Sequence, residues 1–399
     1  MLDFTSALYL GLKHPSRSLR PWQQFTTGVP AALAEPVEAR QIALALAGMM
    51  DCEAATLATS TLHLAWDFFG LLAEKPITIF MDAETYPITR WGVQRAAMRG
   101  AAVRVFPHHD AAALGRELAA APPGRAPVIV TDGFCPGCGR VAPLGEYLAL
   151  ARRRGGLLVA DDTQALGILG HTPSARMPYG GGGGGSLRWS GISGPEILVF
   201  SSLAKGFGVP LAVLAGSGAW IRKFKENSLT RVHCSPPSTA VLRAAEQALL
   251  CNRRDGDPRR GRLLELVRRF RRRARAADLA IGRGQFPVQT IRSAPGMPAP
   301  ALHQRLAERG LRAVLHRGEN DSPRLSFLIT SDHTSAEIDT AVSLIAAAAR
   351  TPTTTCQPFP SGLTPSVRFP ERTHAISNKP RATFTPNPKE THHEESIHP

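Results

Sequence analysis

The chain has 399 residues, 43% of them hydrophobic, and a formal net charge of +15. That length exceeds what one compact core organises, so a large and a small domain are expected. No stretch is apolar enough to span a bilayer, since the most apolar region, near residues 43–73, is broken by Asp51, Glu53 and Asp67, and no basic-then-apolar leader opens the sequence; a soluble, cytoplasmic protein is expected.

Residues 1–45 are expected to pack with the small domain, ahead of a large domain over residues 46–236. There, short β-branched runs at 77–80, 103–106, 128–130, 157–159, 197–200 and 212–214 alternate with longer helix-like segments. Runs of this kind suit strands buried on both faces, and the helices between them suit crossovers, so an α/β fold with a mostly parallel central sheet flanked by helices is predicted. In such sheets ligands sit beyond the carboxyl ends of the strands. The polar residues following the runs are Asp82, Thr131-Asp132-Gly133, Asp161-Asp162, and Ser201-Ser202 with Lys205.

Cys135-Pro136-Gly137-Cys138 has the spacing of a redox pair or half a zinc site. No second cysteine pair with metal-ligand spacing exists, so the segment is read as a Gly/Pro turn, no metal is expected, and the six cysteines are taken as reduced thiols. The six-glycine run at 180–185 has no apolar surface to bury and reads as flexible. Residues 237–350 look like a smaller domain of helices and a few strands, including 325–329. Within it, residues 253–283 carry twelve arginines against four acids, while Leu263, Leu266, Val267 and Phe270 recur at helical spacing. The arginines therefore read as the solvent face of an amphipathic helix, and without interleaved aromatics no nucleic-acid partner is expected. The stretch 351–399, rich in Pro, Thr and His, reads as a disordered tail.

Lys205 carries the chemistry. It stands among small residues in Ser202-Leu203-Ala204-Lys205-Gly206-Phe207-Gly208, just past a strand. A desolvated lysine amine has a lowered pKa and attacks aldehydes, as in a Schiff base. Upstream, Asp161 ends a buried strand, and a buried carboxylate needs a partner. The protonated nitrogen of a pyridine ring is one, and pairing keeps that ring an electron sink.

The segment 161–170 resembles the Asp-Glu-Ala-His-x-x-Gly-x-x-Gly motif of the α-oxoamine synthases, and 202–208 resembles their Thr-Leu-Ser-Lys-Ala-Phe-Gly. Further segments similar to that family occur in order: Tyr9-Leu10-Gly11-Leu12, Val141-Ala142-Pro143-Leu144 and Thr330-Ser331-Asp332-His333-Thr334. The resemblance, over roughly residues 5–349, implies a fold-type I pyridoxal-phosphate transferase of the class I/II aminotransferase superfamily, with a smaller α+β C-terminal domain. It implies pyridoxal 5'-phosphate held by Lys205 as a Schiff base and paired through its ring nitrogen with Asp161. Ser202, Ser60 and Thr61 would bind the phosphate, Tyr86 would stack on the ring where the family has histidine, and Arg324 would take a substrate carboxylate. A homodimer is implied as well.

Departures from the family pattern fall in the same places. Gln164 replaces the motif histidine near the cofactor oxygen, and glutamine can hydrogen-bond without acting as an acid. Cys138-Gly139-Arg140 stands for Asp-Gly-Asp, and Ser326 for a second arginine. The resemblance implies condensation of an amino acid with an acyl-CoA or related acyl thioester. An aminotransferase, which needs neither missing histidine, and a catalytically degenerate homologue remain alternatives.

Overall fold

The computed structural model of the chain describes residues 1–291, 298–317 and 322–350. The expected disordered tail and Cys356 lie outside the described residues. In chain order the strands are β1 (Leu2–Asp3), β2 (Ala54–Ala58), β3 (Ile77–Asp82), β4 (Ala102–Phe106), β5 (Ala126–Asp132), β6 (Phe134–Cys135), β7 (Arg140–Val141), β8 (Leu157–Asp161), β9 (Ile197–Ser202) and β10 (Ala212–Gly216), then β11 (Val288–Ile291), β12 (Leu311–Arg312), β13 (Val314–Arg317) and β14 (Pro323–Leu328).

Seven strands form the central sheet in the order β2-β10-β9-β8-β5-β3-β4. The pairings β9-β8, β8-β5, β5-β3 and β3-β4 are parallel, while β10 runs antiparallel to both β9 and β2. The six predicted runs all become strands of this sheet. The seventh, β2, was not predicted, because Ala54-Ala55-Thr56-Leu57-Ala58 carries little β-branched surface; it is specified by pairing with β10.

Both faces of the sheet are buried, as the unbroken apolar runs require. Phe80, Ile129, Leu158, Ala160 and Val199 point into one core, and their neighbours Ile79, Met81, Val128, Val130, Val159, Leu198 and Phe200 into the other. That period of two turns each strand into a divider between two helical layers. Within the described residues no helix is long and apolar enough to cross a membrane.

A second sheet, β11-β14-β13, is antiparallel, and β1 pairs in parallel with β12. Phe4, just past β1, stacks on the His333 ring at 4.3 Å between centroids, and Ser331 N donates to Tyr9 O at 2.8 Å. The first and last motifs of the family resemblance therefore touch each other.

The glycine run is ordered, contrary to expectation. Gly180, Gly182, Gly183 and Gly185 adopt positive φ of 71–91°. Gly167 N donates to Gly183 O at 2.8 Å, Gly185 N to Leu169 O at 2.7 Å, and Gly182 N to the Asp257 carboxylate at 2.9 Å. A β-carbon at Gly183 would meet Arg260 and the Gly167 backbone, and one at Gly185 would meet Asp162. The run is glycine-rich because the backbone folds left-handed in tight quarters, a requirement that composition alone does not distinguish from flexibility.

The arginine-rich segment forms the C-terminal half of a 38-residue helix, Thr239–Ala276, with Leu263, Leu266, Val267 and Phe270 buried as predicted. Arg253, Arg254, Arg272, Arg273 and Arg275 face solvent. Arg260 does not: at 1% exposure it donates to Gly167 O and the Asn252 amide oxygen at 2.8 and 2.9 Å and pairs with Asp257 at 2.7 Å. That arginine clamps the glycine run and the 161–170 segment to the helix.

Candidate active site

The site lies at the carboxyl ends of β5, β8 and β9. Parallel pairing sets Asp132 and Asp161 as register partners, so their carboxylates emerge side by side at the sheet edge. Asp161 is 5% exposed; Thr163 N donates to its Oδ1 at 3.0 Å and Thr89 Oγ1 to its Oδ2 at 3.2 Å. Burial raises its pKa above the ordinary carboxylate value, opposed by the bonds from Thr163, the Lys205 charge and the Thr89 hydroxyl. Asp132 is pushed well above that value by burial and the neighbouring Asp161 charge.

Lys205 faces this pair. Burial lowers its pKa, while the charges of Asp161 and Asp132 pull it back up. It sits in the connection between β9 and β10, closed by hydrogen bonds from Leu203 N to Leu211 O at 2.8 Å and from Val209 N to Leu203 O at 3.2 Å. Gly206 packs on the Leu166 carbonyl and Gly167, so the small residues flanking the lysine let the two motif segments meet backbone to backbone.

Tyr86 caps the helix Pro87–Met98. Its N–H donates to Asp132 Oδ1 at 3.1 Å, and Lys205 Nζ lies 5.9 Å from the centre of its half-exposed ring. The ring thus presents a flat face in front of the amine. Burial, then the charges of Asp161 and Asp132, raise the phenol pKa, so Tyr86 stays neutral near pH 7.

Ser202 ends β9; its N–H donates to Thr163 Oγ1 at 3.1 Å and its Oγ accepts from Ala204 N at 3.2 Å. Ser202 and Ala58 both register on Ala212, which places Ser60, two residues past Ala58, on the same edge two strands away. Ser60 caps the helix Thr61–Leu72, whose N-terminal amides suit an anion. Gln164 Oε1 accepts from the buried Tyr9 hydroxyl at 3.0 Å. Arg324 lies on β14, lining a cleft of about 530 Å³ with Cys138, Arg140 and Arg283.

The structure thus gathers Lys205, Asp161 and Tyr86, sets Ser60, Thr61 and Ser202 along one edge, ties Gln164 to the N-terminal motif, and puts Arg324 on a cleft of its own. Sequence reasoning passed over Asp132 and Thr89. Asp132 carried a signal, as a polar residue closing a predicted run; Thr89, 72 positions from Asp161, carried none. Reading Cys135 and Cys138 as a plain turn also missed His108 and His109, which the β4 connection brings to the same hairpin.

A buried acid raised by its surroundings, facing an amine and an aromatic ring, with hydroxyls and a helix N-terminus along the same edge, fits a pyridine aldehyde carrying a phosphate. The chain belongs to the class I and II aminotransferase family, which residues 52–345 match.

Among curated relatives it is 31% identical over 265 residues to the 8-amino-7-oxononanoate synthase of Halorhodospira halophila, over 65% of this chain. The match spans 62% of that relative's length. To the same-named enzyme of Dechloromonas aromatica it is 31% identical over 272 residues, 67% of each chain. Serine palmitoyltransferase from S. paucimobilis superposes with a TM-score of 0.76 at 18% identity, covering 87% of both chains. The 8-amino-7-oxononanoate synthase of Francisella tularensis superposes at 0.66 and 20%, covering 87% of this chain and 97% of that one. The fold is therefore that of the fold-type I pyridoxal-phosphate transferases, as the motifs implied.

Proposed function

We propose that the protein is a pyridoxal-phosphate-dependent transferase of the α-oxoamine synthase type, condensing an amino acid with an acyl thioester. The observation that carries this reading is the convergence of Lys205 on the register pair Asp132 and Asp161. When bound, pyridoxal phosphate supplies an aldehyde for the amine and a protonated ring that draws electrons from the substrate α-carbon.

The residues divide the work. Asp161, held by Thr163 and Thr89, keeps a negative charge where a ring nitrogen would be protonated. Lys205 Nζ, with its lowered pKa, is available as nucleophile and, once displaced, as the base that moves the α-proton. Tyr86 offers the stacking face, Ser202, Ser60 and Thr61 receive phosphate, and Arg324 on β14 receives the substrate carboxylate. Asp132 fixes the Tyr86 turn by accepting its N–H.

Gln164 favours a second reading, transamination. It occupies the motif position where the family has an acid, and its oxygen accepts from Tyr9 instead of donating a proton. A homodimer working in a reducing, cytoplasmic compartment completes the proposal, in keeping with partly buried cysteines that form no disulfide among the described residues.

The test is an assay of free thiol and carbon dioxide released from acyl-CoA with glycine, alanine or serine. Release of both, abolished in Lys205→Ala, is expected. Pyridoxamine phosphate formed with one equivalent of keto acid per site from amino donor alone, and no thiol released from any acyl-CoA offered, would establish transamination instead.

A further inference from the structure

The carboxyl end of β3, the connection after β4 and the β6–β7 hairpin after β5 collect five side chains that the proposed reaction leaves unused: Asp82, His108, His109, Cys135 and Cys138. One donor atom each from His108, Cys135 and Cys138 lies within 4.8 Å of the others. His108 Nε2 is 3.3 Å and His109 Nδ1 3.8 Å from Cys138 Sγ. Around one tetrahedral zinc ion, with Zn–S of about 2.3 Å and Zn–N of about 2.0 Å, ligand atoms stand about 3.5–3.8 Å apart. The cluster is at that spacing or a small adjustment from it.

The surroundings are built for ligation. His108 Nδ1 is 2.8 Å from Asp82 Oδ1, on a carboxylate whose side chain is 2% exposed. With Nδ1–H donating to Asp82, the Nε2 lone pair points toward the sulfur, the carboxylate–imidazole arrangement that orients metal-ligating histidines. Asp82 is itself pinned by Glu84 N at 2.8 Å and His109 N at 3.0 Å. His109 holds a left-handed φ of 56°, and its buried Nε2 has no hydrogen-bond partner. Strain of this sort in a non-glycine residue collects at functional sites. The Cys135-Pro136-Gly137-Cys138 hairpin, closed by Gly139 N donating to Cys135 O at 2.9 Å, turns both sulfurs to one side.

We propose that Cys135, Cys138 and His108 bind one zinc-class divalent cation, with Asp82 orienting His108, His109 within reach of the fourth position, and Cys138 opening that position onto the cleft it lines with Arg324. Two thiolates and an imidazole select a borderline-soft ion over magnesium or calcium. Loading releases one proton from each thiol, and two thiolates then balance the ion's two charges, which suits a partly buried place. The ion would tie together the connections after three adjacent strands. It would thereby brace the turn from Asp82 to Tyr86 and one wall of the Arg324 cleft.

The experiment uses the full-length protein, grown with zinc, purified under reducing conditions and dialysed without chelator. Elemental analysis should find about one zinc per chain, falling below about a tenth in Cys135→Ser and in Cys138→Ser and unchanged in Cys251→Ser. Should those variants misfold, titration of the unaltered protein with a mercurial should release zinc to a reporter dye in step with two thiols. Cobalt in place of zinc should give the intense thiolate charge-transfer band of a tetrahedral site. A protein that carries no metal and takes up no cobalt with that band overturns the proposal, and so does a disulfide between 135 and 138 in the purified protein. No readout depends on pyridoxal phosphate or on turnover, so the catalytic reading and the metal site stand or fall separately.

Discussion

Asp132 and Asp161 are direct register partners across the parallel pairing of β5 and β8, and together they face the single ammonium of Lys205. Two neighbouring carboxylates, one buried and one partly buried, cannot both stay charged beside one cation without cost, so they do different jobs. Asp161, with two hydrogen bonds to its oxygens and 5% exposure, is the one placed to hold charge against a ring. Asp132, its pKa also raised by burial and by the Asp161 charge, serves as an acceptor for the Tyr86 turn.

Replacement should separate these jobs. Lys205→Ala should remove the visible colour of bound cofactor and lower turnover by about 10³-fold or more. Asp161→Asn should keep binding while cutting turnover by a similar factor. Asp132→Asn, which retains an acceptor for Tyr86 N, should lower turnover less than tenfold. Absorbance titration with pyridoxal phosphate and steady-state assay check all three.

Gln164→His bears on the choice of reaction. If acyl thioesters are the second substrate, an imidazole at this position adds an acid and should raise thiol release about tenfold. An unchanged thiol-release rate beside intact transamination would show that the site has left condensation behind.

Asp162, fully buried, makes the apo protein pH-sensitive. Burial, the largest influence, lifts its pKa from 3.8 to about 6, with Ser186 opposing. Because the folded pKa is the higher, the stability it contributes is full below about pH 4 and is lost as pH rises through about 6. The span corresponds to on the order of 3 kcal/mol. Asp162→Asn should therefore gain thermal stability relative to the parent between pH 5 and 8, as melting curves across that range would show.

Gly183→Ala tests the glycine run. Its φ of 74° and the nearness of Arg260 and Gly167 leave no room for a methyl group. A loss of about 2 kcal/mol in denaturant unfolding is expected, where a flexible linker would show none.

Much of the frame was legible because strands buried on both faces must be short and apolar, and the residue ending each one must be polar if it faces a ligand. That logic picked out Lys205 and Asp161, which the structure brings to face each other, and marked Asp132 as a polar strand end without giving it a role. It failed where a residue type has two causes. Glycines at 180–185 read as slack, yet their purpose is a left-handed backbone beneath Arg260. Arginine 260 read as solvation, yet it is buried. The cysteine hairpin looked isolated because His108 arrives from the β4 connection, 27 residues earlier than Cys135, a distance at which no spacing rule operates.

The antiparallel course of β10 has a consequence for how this scaffold can diversify. A parallel neighbour would have required a long crossover after β9, and the amine would then ride on a loop free to lengthen or drift. Here only residues 203–211 separate the two strands, cross-bonded at both ends. Lys205 is thus fastened to a short clasp with little room for insertion or deletion, which leaves the other connections at the same carboxyl edge of the sheet as the places where the scaffold can vary.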